Sequence, residues 1–452
     1  MTSRGTEVVV KLKDDAAEFA DENRIRDIIR RHSDFINFPI FVGKDSEQIN
    51  TRTALWRKNP RELEAKDYEA FYSQLTLDFQ KPVAYTHITT DAPLQVYAIL
   101  FIQSQAERTM FSPRKEDGLK LYVRKVLIQE YSKDLLPEYF GFIQGVVDSE
   151  DLPLNVSRET IHSSAVMARL KKLITSKVIE MIKKLATDDA GAYASFWQHF
   201  GRFLKHGVAV EQSDVESLYP LLRFHTTTDQ AALSSLEDYV SRMKDDQPGI
   251  YYILADDTRS ALASPHLDAV RQHGFEVLLM TDPMVDPFML MRLKSFQDKP
   301  LLNVAQADLK LPEKAAEASE SAEKSESVPT TDWLSLVSRF KQQLGERVAD
   351  VRMTDRLSGS PARLVDSKEA PNQETQRVLR LIKEDYQMPK KVLELNPRHP
   401  ILRRLNELPT EDERGSLVID QLYENALLLE GLHEDPASMI QRIQKLIEAA
   451  LD

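Results

Sequence analysis

Leu94 to Ile102, LQVYAILFI, is an almost unbroken apolar run, and it narrows the folds open to this chain more than any other segment. A strand with one solvated face alternates polar and apolar residues. A run apolar at nearly every position therefore reads as a strand buried on both faces, and helices must cover the sheet that holds it. Leu119 to Ile128 (LKLYVRKVLI) alternates and reads as a further strand. Helices are expected from Glu22 to Arg31, with Ile25, Ile28 and Ile29 inward, and from Lys66 to Leu77, with Tyr68, Phe71, Tyr72 and Leu75. The clearest runs from Arg158 to Leu185, where Ile161, Ala165, Ala168, Leu173 and Ile182 keep a broad inward stripe. Shorter strands are expected over Thr6 to Leu12 and from Pro39 to Val42.

Further along, Tyr251 to Ala255, a helix near Pro265 to His273, and Glu276 to Met280 form a strand-helix-strand unit, which requires a parallel sheet and a right-handed crossover. Leu301 to Val304 adds a strand. Glu313 to Val328 (EKAAEASESAEKSESV) has no apolar face and reads as a linker. Beyond it come a helix from Asp332 to Leu344, strands around Val348 to Met353 and Ala362 to Val365, and a helix near Gln373 to Tyr386. Two helices close the chain, the last with Asp435 as N-cap and Pro436 at its first position. Val418, Leu422, Ala426 and Leu429, with Met439, Ile443 and Leu446 of the final helix, offer more apolar surface than two terminal helices bury alone. They pack either on their own domain or on a second copy in a C₂ dimer. The fold class is thus α/β and α+β, multidomain: an αβα-layered domain, a smaller strand-helix-strand unit, and an α+β domain ending in a helical bundle.

A chain of 452 residues holds roughly two to four domains. Its net charge of −12 gives no general attraction to nucleic acid or to an anionic membrane. With no cysteine, disulfides and thiol chemistry drop out, as a reducing compartment allows. The start, MTSRGTEVVV, lacks the charged-then-apolar signal pattern, and no run approaches a membrane span, so a cytoplasmic protein is expected. No GxGxxG, Walker A, HExxH or GxSxG motif occurs, and the ten histidines show no metal-ligand spacing, so no metal site is expected.

The chemistry concentrates in Gly145 to Ile161, GVVDSEDLPLNVSRETI. An apolar run gives way to the acids Asp148, Glu150 and Asp151, and Pro153 then forces an extended path. Ser157 suits an N-cap, and Glu159 suits the positive end of the helix dipole. Arg158 does not suit that end. It either pairs with a neighbouring acid or is placed for something outside the helix.

This string resembles the catalytic loop of the Hsp90 chaperone family. SDFINFPIFV, ALWRKNPREL, EAFYSQLTLDF, KLYVRKVLI, LEDYVSRM, VRMTDRLSGSPARLV, LELNPRHP and QLYENALLLEG resemble further signatures of that family, in the same order. RGTEVVVKLKDD and RIRDIIRRHSDFINFPI resemble its junction between nucleotide-binding and middle domains. On this basis residues 1–20 are expected to hold the last strand of a nucleotide-binding domain and the junction. Residues 21–225 are expected to form the large middle subdomain, 226–306 a small α/β subdomain, 307–331 a linker, and 332–452 a dimerisation domain.

The resemblance implies that Arg158 reaches the γ-phosphate of ATP held on another domain, a role suited to a permanently charged, forked guanidinium. The family's pattern has glutamine four residues later, where this chain carries His162, a donor whose charge varies near neutral pH. In the family ATP and Mg²⁺ sit in the amino-terminal domain, so this chain alone is expected neither to bind ATP at that site nor to hydrolyse it. It would work with such a domain in cis or in trans. The resemblance also implies binding of partly folded client proteins, with an exposed tryptophan at Trp56; packing of Trp56 against the Tyr68 to Leu75 helix is the other reading. It further implies a homodimer through the terminal helices. A different class of function is an ATP-independent holdase or regulatory dimeric subunit.

Overall fold

The computed structural model describes residues 5–43, 47–104, 118–152, 165–307, 309–312, 327–367, 369–383 and 385–451. They fall into two compact units, Met1–Phe203 and Leu204–Asp452.

In the first unit, helix α1 (Glu22–His32) starts at Asp21, whose side chain accepts the N–H of Arg24. Helix α2 (Ala65–Thr76) opens on a reciprocal capping box between Glu64 and Asp67. A five-stranded sheet follows: β1 (Ala84–Thr90), β2 (Val96–Ile102), β3 (Leu119–Val123), β4 (Val126–Ser132) and β5 (Ile143–Ser149). Its order is β1-β2-β5-β3-β4, antiparallel except for the β3–β5 pair, with β5 in the centre. β2 is buried at every position but Tyr97, as its unbroken apolar run requires. Ile99, Phe101, Tyr122 and Val146 face a cluster built by Trp56, Tyr68 and Tyr72. Helices α3 (Ala165–Asp188) and α4 (Ala190–Val210) complete the layering. α3 packs against β1, and Phe196 and Phe200 of α4 meet Phe142 at ring distances of 5.8 and 4.5 Å.

The second unit holds β6 (His225–Thr226), α5 (Leu236–Arg242), β7 (Ile250–Leu254), α6 (Thr258–Ala263), α7 (Leu267–Gln272), β8 (Leu278–Met280), α8 (Asp286–Arg292), β9 (Ser295–Phe296) and β10 (Lys299–Asn303). These strands order as β6-β8-β7-β10-β9, with β7 parallel to both β8 and β10, which is the expected strand-helix-strand unit. After α9 (Trp333–Leu344) a smaller sheet orders as β11-β13-β12, from β11 (Asp350–Met353), β12 (Ala362–Val365) and β13 (Val392–Leu395). Helices α10 (Gln373–Ile382), α11 (Pro400–Glu407), α12 (Glu413–Leu429) and α13 (Met439–Leu451) accompany it. Buried polar groups join the two sheets. Asp268 accepts the backbone N–H groups of Ser358, Gly359 and Ser360 at 3.1 Å each, and His266 lies 2.6 Å from Glu430.

Several local expectations change. Thr6 to Leu12 forms no strand: Val8, Val9 and Val10 are exposed, and an alternating pattern without a partner strand has nothing to pair with. Pro39 to Val42 forms no strand either, although the Ile40 carbonyl accepts the N–H of Ile49 at 2.9 Å. Leu119 to Ile128 is not one strand but the hairpin β3–β4, turned at Arg124 and Lys125 with φ of 50° and 69°. The helix from Gln373 stops at Ile382 rather than Tyr386. At the ends of the expected linker, Leu309 and Val328 are buried in separate cores; residues 313–326 between them lie outside the described residues. No described helix is long and apolar enough to cross a membrane.

Candidate functional site

Arg158 and His162 lie outside the described residues, but the structure shows how the strand leading to them is held. β5 ends in Asp148 and Ser149, both fully buried. Asp148 Oδ2 accepts the indole N–H of Trp56 at 2.9 Å and Nε–H of Arg57 at 2.8 Å, while Oδ1 accepts the backbone N–H of Lys125 at 3.2 Å. The Arg57 guanidinium bridges onward to Glu150 at 2.5 Å and lies 4.0 Å above the Tyr97 ring. Asp151 Oδ2 takes the backbone N–H of Gln95 at 2.7 Å. All three acids are therefore committed to the root of the loop. A buried carboxylate needs such partners, because an unpaired charge in low dielectric is costly.

Trp56 is not the exposed tryptophan the resemblance implies. It is fully buried, with Phe35, Tyr122 and Phe71 rings 4.7, 4.8 and 5.9 Å away and its one donor spent on Asp148. The packed reading holds. Among the exposed aromatics of the first unit are Phe79, at 88% exposure, and Phe38 and Phe41. Leu77, in the left-handed conformation, turns the chain out of α2, and Asp78 then pins it. Asp78 accepts from the Tyr72 hydroxyl at 2.7 Å, the Ser104 hydroxyl at 2.8 Å and the Gln80 N–H at 2.9 Å. Burial pushes its carboxyl upward, yet these hydrogen bonds hold it below the usual range. An LTLDF string shows apolar residues but not which one the turn throws outward.

The terminal helices divide the expected dimer residues. Leu422 and Ala426 are buried in the core of their own domain, Val418 packs against that core, and Met439 is buried. Leu429 and Leu446 are half-buried. α13 packs on α12 and is fixed there by Arg442 Nη1, which donates to Glu424 at 3.1 Å. Of the expected set only Ile443 is exposed. Ile440, Ile447 and Leu451 extend it into an uncovered stripe at helical spacing, with Leu428 exposed on α12.

Among the described residues no group of three or more His, Asp or Glu side chains is placed to hold a metal ion, so none of them is assigned as a Mg²⁺ ligand.

A family model described as "Hsp90 protein" matches residues 41–452. The chaperone protein HtpG of Nitratidesulfovibrio vulgaris is 39% identical over 99% of this chain and 71% of its own length. The HtpG proteins of Chlorobium phaeovibrioides and Escherichia coli K12 are 37% and 39% identical, over 99% and 98% of this chain and 71% and 72% of theirs. A match of this extent, through the layered sheet, the parallel strand-helix-strand unit and the terminal helices, means that the chain belongs to the Hsp90 family.

Proposed function

We propose that this chain acts as a cytoplasmic Hsp90-type chaperone. It binds partly folded clients, dimerises through its terminal helices, and contributes Arg158 to ATP hydrolysis on an amino-terminal ATPase domain. The observation that carries this reading is the pairing of exposed apolar side chains with rigid supports: Phe79 on a loop pinned by Asp78, and the Ile440–Ile443–Ile447 stripe on a docked helix. A contiguous apolar stripe left in water on an ordered helix marks an interaction surface, and Ile440, Ile443 and Ile447 form one. The root of the Arg158 loop is built to the same standard, since Asp148, Glu150 and Asp151 each have a fixed partner. ATP supplies the γ-phosphate; the chain's own part is to bring one guanidinium to it.

The test mixes the chain with a separately expressed amino-terminal ATPase domain of an HtpG relative and follows ATP turnover. The chain alone is expected to be inactive, the mixture faster than the ATPase domain alone, and Arg158→Ala without that gain. In parallel, Phe79→Ala is expected to weaken suppression of citrate synthase aggregation with no change in melting temperature. Aggregation suppression without ATPase stimulation, in a mixture shown to associate, would favour the ATP-independent holdase. His162, in place of the family's glutamine, is the residue that keeps this second reading open.

A further inference from the structure

We propose that the outer edge of β1 and the adjoining face of α3 form a docking groove for an extended polypeptide segment, which joins the sheet as an additional strand. The proposal deepens the chaperone reading above and rests on it.

β1 is the outermost strand, and it pairs with β2 over seven consecutive residues, Ala84↔Ile102 to Thr90↔Val96, without a bulge. Among the described residues no strand pairs with its other side. Alternate main-chain N–H and C=O groups therefore point outward. Folded proteins usually guard such an edge with a charge, a proline, a bulge or a covering element. The β1 sequence AYTHITT carries no Lys, Arg, Asp, Glu or Pro. The opposite edge of the same sheet is guarded: Glu130 of β4 is paired with Arg31 of α1, and the β3–β4 register is broken twice. One edge is guarded by charge and bulges; the other has neither, and α3 packs beside it without pairing to it.

The open edge is also recessed. A groove of about 810 Å³ runs along residues 82–90 beside α3. Tyr85 and His87 turn toward Tyr68 of α2, so by strand alternation Ala84, Thr86, Ile88 and Thr90 face α3. On the helix, Leu173, Met181 and Leu185 line the floor, and Lys177, Glu180, Lys184 and Asp188 line the rim. Lys177 lies 2.7 Å from Glu180, and the two lysines and two acids leave the rim with no net charge.

These features specify the occupant's chemistry. The outward main-chain groups call for another main chain in extended form, as in strand addition. The apolar floor favours apolar side chains at alternate positions, and the neutral rim selects no charge. An uncharged, β-branched stretch of a partly folded protein meets all three requirements, and its recognition through the backbone tolerates many sequences.

The test uses an acetylated, amidated Thr-Val-Thr-Val-Thr-Val-Thr peptide flanked by lysines, and amide hydrogen exchange read by mass spectrometry on the whole chain. Peptide is expected to slow exchange across Ala84–Thr90 by roughly ten-fold or more, and a version N-methylated at alternate residues to have no effect. Thr86→Trp, which fills the groove, and Lys184→Trp on the exposed helix face should each abolish the protection without shifting thermal unfolding; the second guards against misfolding of the first. Absent protection in a chain that still suppresses citrate synthase aggregation would overturn the groove and leave the chaperone reading standing. Equal protection by the N-methylated peptide, or protection that rises with protein concentration and needs no peptide, would also overturn it, the latter by assigning the edge to a second copy. Protection at β1 without aggregation suppression would support the groove and count against the chaperone reading.

Discussion

The indole N–H of Trp56 donates to Oδ2 of Asp148 at 2.9 Å, a buried hydrogen bond that ties a short turn to the end of the central strand 92 residues later. A hydrogen bond to a charged acceptor contributes more than a neutral one, and phenylalanine keeps the ring while deleting the donor. Trp56→Phe is expected to cost about 1.5–3 kcal/mol of stability, read as a lower urea midpoint. A change in exposed client contact, with stability untouched, would contradict this assignment.

Arg363 is 1% exposed, and its Nε–H donates to Glu394 at 2.7 Å, with Arg352 on the other carboxylate oxygen. Removing one partner of a buried pair strands the other charge. Glu394→Gln is expected to destabilise the chain by about 3–5 kcal/mol, whereas Arg352→Gln, at a side chain 43% exposed, should cost far less. Denaturant titration of both variants checks the ranking.

Acid should undo the same region. Burial raises the carboxyls of Glu394 and Glu430, but Arg363 beside the first and His266 beside the second bring the net shift below the ordinary value of 4.5. A depressed folded-state value means the contribution is full above 4.5 and is lost as pH falls through the folded value. Stability is therefore expected to fall on acidification below that point, and Glu430→Gln to flatten the decline. Melting temperatures measured across the acid range test the sign.

The exposed stripe on α13 predicts association. Ile447→Asp leaves the docked face, held by Met439 and Arg442, untouched, and it places a charge where a second copy would pack. The variant is expected to sediment as a monomer with unchanged helix content, while Leu422→Asp, buried in the domain's own core, should unfold that domain instead. Analytical ultracentrifugation with circular dichroism separates the two outcomes.

What was legible in the sequence was local. LQVYAILFI needed no neighbours to declare itself a doubly buried strand, whereas Asp435–Pro436 marks not the start of α13 but a short 3₁₀ turn, Pro436–Ser438, in which the Asp435 side chain accepts the Ala437 N–H before α13 begins at Met439. The hairpin at Arg124–Lys125 was hidden because two long cationic residues adopt the positive φ that Asn-Gly usually signals. Trp56 was misplaced for a different reason. Its exposure depends on Asp148 and Tyr122, partners set by chain topology rather than by spacing. In the terminal helices, periodicity identified the apolar residues. Which of them turn inward follows from the packing of α12 on α9 and β12, elements distant from it in sequence.

The place of β5 has a consequence for how the chain is born. It is the last of its five strands to be synthesised, yet it lies in the middle, between β2 and β3. The β1–β2 and β3–β4 hairpins can each form by local pairing as the chain leaves the ribosome, but they cannot meet until Ile143–Ser149 has emerged to bridge them. Until then the inner margins of β2 and β3, among the most apolar surfaces in the molecule, stand open. Non-local closure of this kind is slow and exposes the nascent chain to misassembly. In its own strand order, a member of a chaperone family carries the kind of non-local closure whose exposed margins chaperones exist to protect.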